Sequence, residues 1–353
     1  MHAPMRPQRP RVSVLVPCRN EDRHIDATLS ALHRQMEPEG GLEILVVDGM
    51  SDDGTRAILR RWEAADPRIR VVDNPGRTVA TGLNAAVAAA RGEILVRADA
   101  HTDYADDYVR SCVDVLRESG ADNVGGPWVA RGSGYVSRAA AAVFDSRVVT
   151  GGGRARNGEH EGPVESVYLG CWRREAMQRF GAFDEQLVRN QDDEHNLRIV
   201  RGGGTIWQSR RIRSWYHPRD TVTGLFRQHA EYGYWKVAVI RKHGRPASLR
   251  HLVPGAFVAL LVLLGTLGFV WDGARTALLA TSALYAAVVL LTSLVTAHRV
   301  DWKLLPILPA VIACHHLGYG TGFCVGALHF HLVRRVPAAD ALQSASRAAE
   351  SSA

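Results

Sequence analysis

The sequence lacks a cysteine pattern that would indicate a disulfide framework or a zinc site. Its 353 residues include five cysteines, which are widely spaced and form no C-x-x-C pair. Such cysteines fit a reducing cytosol better than a cross-linked secreted scaffold. An apolar leader is also missing, since residues 1–11 are rich in proline and arginine. We therefore expect no signal peptide, a disordered segment at residues 1–11 and a first domain that stays in the cytosol.

Charge is modest overall and absent from long stretches near the C-terminus. The formal net charge of +7 is scattered along the chain, which argues against a nucleic-acid partner. No charged side chain occurs from Leu252 to Trp271, a stretch that would span about 30 Å as a helix, the thickness of a bilayer core. A similar stretch follows at residues 276–297. Because the segment before them is far more basic than the loop between them, the positive-inside rule places residues 1–250 on the cytosolic side of the inner membrane.

A third apolar stretch, residues 304–333, is less uniform because it contains prolines, four histidines and closely spaced glycines. If it crosses the membrane, Arg334 and Arg335 lie outside, against the positive-inside rule. If it bends at the glycines and returns, they stay inside, provided that protein or a cavity surrounds the irregular backbone. Both alternatives remain open, and we favour a crossing. Residues 251–335 thus form the predicted transmembrane region, and residues 336–353 are expected to be a disordered tail.

Residues 222–250 interleave aromatic with basic side chains. An amphipathic basic helix with tryptophan and tyrosine is typical of a segment that lies on membrane lipids. The alternative is a charged helix that packs on the soluble domain.

The preceding part of the chain alternates strand and helix patterns. Short apolar runs predict strands at residues 12–17, 42–47, 70–72 and 93–96, and helical spacing predicts helices at residues 21–35, 55–65 and 79–90. This order implies right-handed crossovers and an α/β domain with a Rossmann-like, mostly parallel central sheet.

Polar residues follow the ends of three of these strands. Pro17-Cys-Arg-Asn-Glu21 leaves the first strand, Asp48-Gly-Met-Ser-Asp-Asp-Gly-Thr55 the second and Asp99-Ala-His101 the fourth. In an open α/β sheet the carboxyl ends of the strands line the ligand site, so we expect these segments to converge. Asp99 and His101 could then both face one divalent cation, Mn²⁺ or Mg²⁺. The alternative is a surface turn in which Asp99 caps the following helix.

These motifs resemble glycosyltransferase family 2, which has the GT-A fold, from about Val12 to Lys236. The segments after the first two strands carry most of the resemblance. Asp99-Ala-His101, Gly181-Ala-Phe-Asp-Glu185 and a later Tyr-Gly-x-Trp are similar to the branch that contains succinoglycan-pathway glucosyltransferases. The resemblance implies a GT-A catalytic domain at residues 12–221. It also implies an inverting transfer of a sugar from a nucleotide-sugar donor, a UDP-hexose, to a polyprenyl-diphosphate-linked saccharide.

Two other functions remain open. One is a transferase whose acceptor is a simpler lipid, a polyprenyl phosphate or ceramide. The other is a membrane protein that binds nucleotide sugars without catalysis, because His101 and Gln191 stand where the family has acidic residues. Neither the sugar, the linkage nor the acceptor follows from the sequence.

The resemblance also implies roles for individual residues. It places Pro17 and Glu21 in the wall of the nucleotide pocket, and Asp48 on the uracil or ribose. Asp53 would support its own loop. Arg77 and Asn84 would lie near the base. Asp99 would bind the nucleotide sugar and, together with His101, hold the metal.

The segment Asn190-Gln-Asp-Asp-Glu194 matches the acidic motif that supplies the general base of the family. Asp192 is the implied base, and Asp193 is its rival. Neighbouring Asp193 and Glu194 surround Asp192 with like charge, which would make it a better base near neutrality. The alternative is a solvated helix start that Asp192 caps.

Gln228-His-Ala-Glu-Tyr-Gly-Tyr-Trp235 falls where processive relatives carry Q-x-x-R-W, but it lacks the Arg-Trp pair. Processivity therefore does not follow. Gln228, Tyr232 and Trp235 are candidates for the acceptor side, where the two aromatic residues would stack on a sugar or anchor at the membrane interface.

Overall fold

The computed structural model describes residues 11–332 except residues 145, 154 and 156. The predictions for residues 1–10 and for the tail after residue 332 lie outside this part. The chain divides into two compact units. The first takes the described residues of Met1–Val129 and Arg154–Tyr216, and the second those of Ala130–Gly153 and His217–Ala353.

The first unit is built on an eight-stranded sheet, and its predicted alternation of strands and helices is confirmed. The strands of the chain are β1 Val12–Cys18, β2 Leu42–Asp48, β3 Ile69–Asp73, β4 Ile94–Arg97, β5 Thr102–Tyr104, β6 Asn123–Gly126, β7 Val129–Ala130, β8 Gly162–Pro163, β9 Tyr168–Arg173, β10 Ile206–Gln208 and β11 Ser214–Tyr216. The helices of this unit are α1 Ile25–His33, α2 Thr55–Ala65, α3 Val79–Ala89, α4 Tyr108–Ser119, α7 Arg174–Phe180 and α8 Gln191–Arg201.

The strand order in the large sheet is β3-β2-β1-β4-β9-β6-β10-β8. β1 pairs in parallel with both β2 and β4, and β2 with β3, so the ends of β1, β2 and β4 lie at one edge. β9 runs antiparallel between β4 and β6. β5 pairs with β11 in a separate small sheet.

Burial explains why the first strands are so apolar. Every residue of β1 and β2 is buried, as expected for parallel strands that helices cover on both faces. One core cluster packs α1 and α4 against the sheet, with Leu29 and Val113 among its members. A second packs α3 and α7, with Leu83 and Trp172 among its members. The sheet is thereby fixed from both faces, which holds its strand ends in place.

The second unit is helical. Its helices are α5 Tyr135–Val143, α6 Arg147–Thr150, α9 Val222–His243, α10 Val253–Leu267, α11 Asp272–Arg299, α12 Leu308–Ala313 and α13 Tyr319–Leu332, with a π-helical turn at Cys314–Gly318 between the last two.

Residues 130–153 group with this helical unit, although the sequence interpretation placed them inside a continuous domain at residues 12–221. Ala139 and Val143 of α5 pack with Leu308 and Val311 of α12 in one buried cluster. The sequence could not show this, because the partners are more than 160 positions apart.

Three segments of the described chain are long and apolar enough to cross a membrane: Leu249–Leu267, Asp272–Arg299 and Leu308–Leu332. They match the three predicted apolar stretches. They differ in burial, however. Only 6% and 11% of the most apolar windows of the first two are buried, against 44% for the third.

Candidate active site

The loops after β1 and β2 are tied together. The Asn20 carboxamide donates to Asp52 Oδ1 over 2.8 Å and accepts from the Asp52 amide. The Asn20 amide donates to Ser51 Oγ over 2.9 Å. Asn20 and Met50 hold left-handed backbone angles, with φ of 55° and 58°. Such angles are uncommon outside glycine and are kept where the surroundings determine them, so the two loops form one preorganised surface.

Asp48 ends β2 as a fully buried carboxylate. It accepts from the Ser51 amide at 3.2 Å and pairs with Arg56 Nε at 2.9 Å. A buried charge needs such partners. In this arrangement the Asp48 carboxylate stabilises the loop that follows β2. Its predicted contact with the uracil or ribose stays a prediction.

The Asp53 carboxylate accepts from the amides of Thr55 and Asp22. Burial opposes ionisation of Asp53, but these hydrogen bonds outweigh it and lower its pKa. The arrangement is the loop-supporting one that the sequence interpretation gave to Asp53.

Asp99 follows β4 and is held by a bidentate ion pair. Arg97 Nε lies 2.7 Å from Asp99 Oδ1, and Arg97 Nη2 lies 2.9 Å from Asp99 Oδ2. The hydroxyls of Tyr104 and Tyr108 donate to the backbone carbonyls of Asp99 and Arg97, each over 2.8 Å. Two buried tyrosines thus fix the backbone on which the pair is mounted, and Asp99 does not cap a helix.

Asp192 lies on the other side of the same guanidinium. Arg97 Nη1 is 3.9 Å from Asp192 Oδ2, and the Asp192 side chain is 44% exposed while that of Arg97 is 7% exposed. Nη1 is buried and has no hydrogen-bond partner among the described residues. Burial works against the charged form, but the carboxylates of Asp99 and Asp192 outweigh it and raise the pKa of Arg97. The structure therefore brings the predicted diphosphate residue and the predicted base to one buried, permanently charged cation.

Sequence analysis missed Arg97. One signal was available: a charged residue ends an otherwise apolar strand, and buried arginines occur almost only with partners. The partner Asp192, 95 positions away, could not be read from the sequence.

Glu194 does not crowd Asp192 with like charge, contrary to the expectation from the sequence. Glu194 is completely buried and turned to Arg198, whose Nε lies 2.9 Å and 3.0 Å from its two oxygens. Asp193 donates its amide to Asp192 Oδ1 over 2.8 Å. α8 begins after Asn190, which has φ of 61°, so Asp192 lies inside the helix and does not cap it. The cation Arg97 lies 3.9 Å from Asp192.

His101, one of the two predicted metal residues, contacts Glu21. His101 Nδ1 lies 3.3 Å from Glu21 Oε1, which joins the segments after β1 and β4. Within the described residues, no cluster of three or more His, Cys, Asp or Glu side chains could hold a metal alone. A cation that takes one or two protein carboxylates together with substrate phosphates and water does not need such a cluster. Asp99 suits it chemically, because Arg97 uses only one lone pair of each carboxylate oxygen.

The other predicted nucleotide residues occupy the same edge or support it. Pro17 lies in β1 opposite Val47. Arg77 is exposed, with φ of 58°. Asn84 holds a distant loop: its carboxamide donates to Phe183 O at 2.9 Å and accepts from the Phe183 amide at 2.9 Å. The contacts of Arg77 and Asn84 with a base stay predictions.

The acceptor candidates all lie in α9, in the second unit. Trp235 is 3% exposed and contacts Tyr234 and Phe330. The prediction that it stacks on an acceptor or anchors at the interface is therefore wrong, because neither role is open to a buried ring. Gln228 Nε2 donates to the Tyr232 hydroxyl over 3.1 Å, and both side chains are half-buried.

Comparison with known proteins identifies the family. Residues 13–181 match the description Glycosyl transferase family 2. The chain is 33% identical over 264 residues to the succinoglycan biosynthesis protein ExoA of Rhizobium meliloti, covering 73% of this chain and 80% of that protein. The chain belongs to glycosyl transferase family 2.

Two further similarities agree with this family and its GT-A fold. A dolichyl N-acetyl-alpha-D-glucosaminyl phosphate 3-beta-D-2,3-diacetamido-2,3-dideoxy-beta-D-glucuronosyltransferase of Methanococcus voltae is 24% identical over 65% of this chain and 74% of its own length. The solved structure of the mannosyltransferase PcManGT from Pyrobaculum calidifontis, in complex with GDP-Man and Mn²⁺, superposes with a TM-score of 0.59 at 22% identity, over 87% of each chain. The protein is a glycosyltransferase whose mostly parallel GT-A sheet is followed by apolar helices.

Proposed function

We propose that this family 2 enzyme is an inverting glycosyltransferase that moves a sugar from a nucleotide-sugar donor to a lipid-linked saccharide, in the assembly of a polysaccharide or glycoconjugate. The observation that carries the proposal is the position of Arg97 between Asp99 and Asp192. The buried cation Arg97 binds Asp99, which we assign to the donor. The same cation lies 3.9 Å from the half-exposed Asp192, which we assign to the acceptor.

The exposed carboxylate fits the role of general base. Asp192 accepts the proton of an acceptor hydroxyl while that oxygen attacks the anomeric carbon from the face opposite the diphosphate. The bond from the anomeric carbon to the diphosphate oxygen breaks, and its electron pair leaves with the nucleoside diphosphate. One displacement forms one glycosidic bond and inverts the anomeric configuration.

Arg97 supports both halves of this exchange. Its fixed charge holds Asp99 where the diphosphate is expected and lies 3.9 Å from the carboxylate of Asp192. The guanidinium cannot lose its proton, so the charge is present at every working pH.

Mn²⁺ or Mg²⁺ is the proposed cofactor, held by Asp99 and His101 together with the donor phosphates. When bound, it neutralises charge on the departing diphosphate. Glu21 Oε1 lies 3.3 Å from His101 Nδ1, a contact that orients the imidazole and leaves Nε2 as the nitrogen for the metal.

The relatives support the lipid-linked acceptor. The name of the Rhizobium protein refers to succinoglycan biosynthesis, and that of the Methanococcus protein to a dolichyl-linked sugar phosphate. The UDP-hexose donor rests on the resemblance of the motifs, whereas the solved mannosyltransferase holds GDP-Man. A polyprenyl phosphate or ceramide acceptor would need the same two carboxylates.

The apolar helices support a place in the inner membrane with the catalytic unit in the cytosol. The most apolar windows of α10 and α11 are 6% and 11% buried. Exposed apolar surface of this extent marks contact with lipid or another protein.

A donor screen tests the proposal. Protein in bacterial membranes with Mn²⁺ is offered UDP-hexoses and GDP-mannose together with a polyprenyl-linked lipid extract. We expect one donor to yield nucleoside diphosphate and a lipid product heavier by one sugar residue. Binding of a nucleotide sugar without product in any extract would favour the inactive binding protein, and the absence of nucleotide binding would contradict the proposal.

A further inference from the structure

The third apolar segment, Leu308–Leu332, differs from the first two in what covers it. Nearly half of its most apolar window is buried, 44%, whereas those of α10 and α11 leave about nine-tenths or more uncovered. The covering elements decide on which side of a membrane the segment can lie.

The first half of the segment packs on residues that cannot leave the cytosolic side. α5 and α6 come from between β6 and β8 of the large sheet, so the chain enters and leaves them from the catalytic unit. α12 shares a buried cluster with α5. The Tyr135 hydroxyl donates to Lys303 O at 2.9 Å, and Arg138 pairs with Asp301 at 3.0 Å, just before α12.

The π-helical turn continues the same contact. His316 Nε2 lies 3.3 Å from Val148 O of α6. The segment has therefore not left the side of α5 and α6 by the time α13 begins.

The second half of the segment packs along α9. Glycines spaced by four residues face backbone groups of α9 that are also spaced by four: Gly318 faces Phe226, Gly322 faces Ala230 and Gly326 faces Tyr234. A Cβ at any of the three glycines would collide with this backbone. Because the residue numbers increase in the same direction along both helices, the two helices run parallel. The glycines, spaced by four residues, permit their backbones to approach closely.

The contact extends to the end of α13. Arg241 near the end of α9 donates to Phe330 O. From Phe226 to Arg241 the helix rises about 22 Å, so α9 follows α13 over most of its length.

α9 is unsuited to the depth that a crossing α13 would require. It carries Arg227, Glu231, Lys236, Arg241 and Lys242. Each charge placed at the centre of a bilayer carries a large free-energy penalty. α9 is also not among the segments of the described chain that qualify as spans.

Contacts with α10 agree with this placement. Gly320 faces Pro254 and Val258, and Gly255 faces Phe323, so α13 meets only the first turns of α10 in these close approaches. On its outer side α13 presents an apolar stripe, with Val325, Leu328 and Leu332 exposed by 52%, 66% and 82%. An exposed apolar stripe of this kind marks contact with lipid or another protein.

From these contacts we infer that only α10 and α11 cross the membrane, as a hairpin, and that α12 and α13 lie with α9 at the cytosolic surface, where the Val325–Leu328–Leu332 stripe contacts lipid. Both ends of the chain are then cytosolic. This argues against the third crossing that the sequence interpretation preferred. Like the returning alternative it keeps the segment on the cytosolic side, but α13 is continuous and does not bend at its glycines. The inference rests on the membrane association proposed above and does not depend on glycosyl transfer.

The side of the C-terminus tests the inference in the full chain. A green fluorescent protein and an alkaline phosphatase are each fused after Ala353. Thr276→Cys, an exposed position near the start of α11, is labelled in intact cells with a membrane-impermeant maleimide. The wild-type protein is the labelling control, because four of its five cysteines are buried and Cys324 is partly buried.

We expect a fluorescent C-terminal fusion, an inactive phosphatase fusion and labelling of Thr276→Cys well above the wild-type level. An active phosphatase with a dark fluorescent fusion would overturn the inference and leave the proposed activity intact. An unlabelled Thr276→Cys in membrane-bound protein would overturn the hairpin. Recovery of the protein in the soluble fraction would overturn both the hairpin and the membrane association, while the donor screen judges the chemistry separately.

Discussion

Arg97 Nη1 lies 3.9 Å from Asp192 Oδ2. The remaining two nitrogens of the same guanidinium bind both oxygens of Asp99. The cation is buried, so its field is screened less than that of a surface arginine. The carboxylate assigned to the donor and the carboxylate assigned to the base are therefore coupled through one side chain, and a change in Arg97 should affect both.

Replacing Arg97 tests this coupling. Arg97→Lys keeps a charge but cannot bind Asp99 through two parallel hydrogen bonds, so we expect kcat to fall roughly 10- to 100-fold. Arg97→Met removes the charge between two carboxylates and should lower kcat further.

The matched control is Arg110→Met, since Arg110 is an exposed helix residue that pairs with Asp114 at i+4. Thermal unfolding and nucleotide binding establish that each variant is folded. A wild-type kcat for a folded Arg97→Met protein would show that Arg97 does not act on the two carboxylates during the reaction.

The sequence predicted the elements whose signal is local. β1 and β2 are predominantly apolar, and the prediction of parallel strands with polar residues at their ends is confirmed. Asp99 was correctly associated with a strand end. The pairing of Arg97 with Asp192 was not predictable, because it depends on how β4 and α8 meet in the folded chain.

The helical unit shows the same limit. Aromatic and basic residues in α9 suggested an interfacial helix, but the burial of Trp235 depends on the approach of α13. The closely spaced glycines Gly318, Gly320 and Gly322 suggested a possible bend, whereas Gly318 and Gly322 contact α9 and Gly320 contacts α10. The sequence of residues 130–153 does not predict which helices they pack against, because those helices lie far away along the chain.

His195 should make stability depend on pH. It packs against Trp172 and Phe183, and its Nε2 lies 3.0 Å from Gly181 O. Burial, followed by the charge of Arg198, lowers its pKa to about 4. Between pH 4 and the ordinary pKa of histidine near 6.5, His195 binds a proton in the unfolded chain but not in the folded chain. The unfolding free energy should therefore fall as the pH drops through this window, by at most roughly 3 kcal/mol.

Thermal unfolding in detergent from pH 7 to pH 4 measures this effect. His195→Gln should show a smaller loss of midpoint temperature over the window than the wild type. His24→Gln, at an exposed position, should follow the wild-type curve. Identical slopes for His195→Gln and the wild type would contradict the account.

The contact between α9 and α13 should be sensitive to one methyl group. A Cβ at Gly322 collides with the backbone of Ala230, whereas a Cβ at Gly265 in α10 meets nothing within 4 Å. We expect Gly322→Ala to destabilise the protein by about 1–3 kcal/mol through overpacking, with a lower midpoint of thermal unfolding.

Gly265→Ala is the matched control and should leave the midpoint unchanged or raise it, because alanine is the better helix former. Equal midpoints for the two variants would show that α13 does not pack on α9 as described.

The most direct test of the central claim is the rate of nucleoside diphosphate release by Asp192→Asn beside Asp193→Asn, with the donor and acceptor found in the screen. Asparagine keeps the shape of Asp192 but cannot take the proton, so we expect kcat to fall by about 10²- to 10⁴-fold while nucleotide-sugar binding persists. Asp193→Asn should keep most of the activity, because the structure places Asp192 and not Asp193 beside Arg97. A wild-type rate for Asp192→Asn would contradict its assignment as the base.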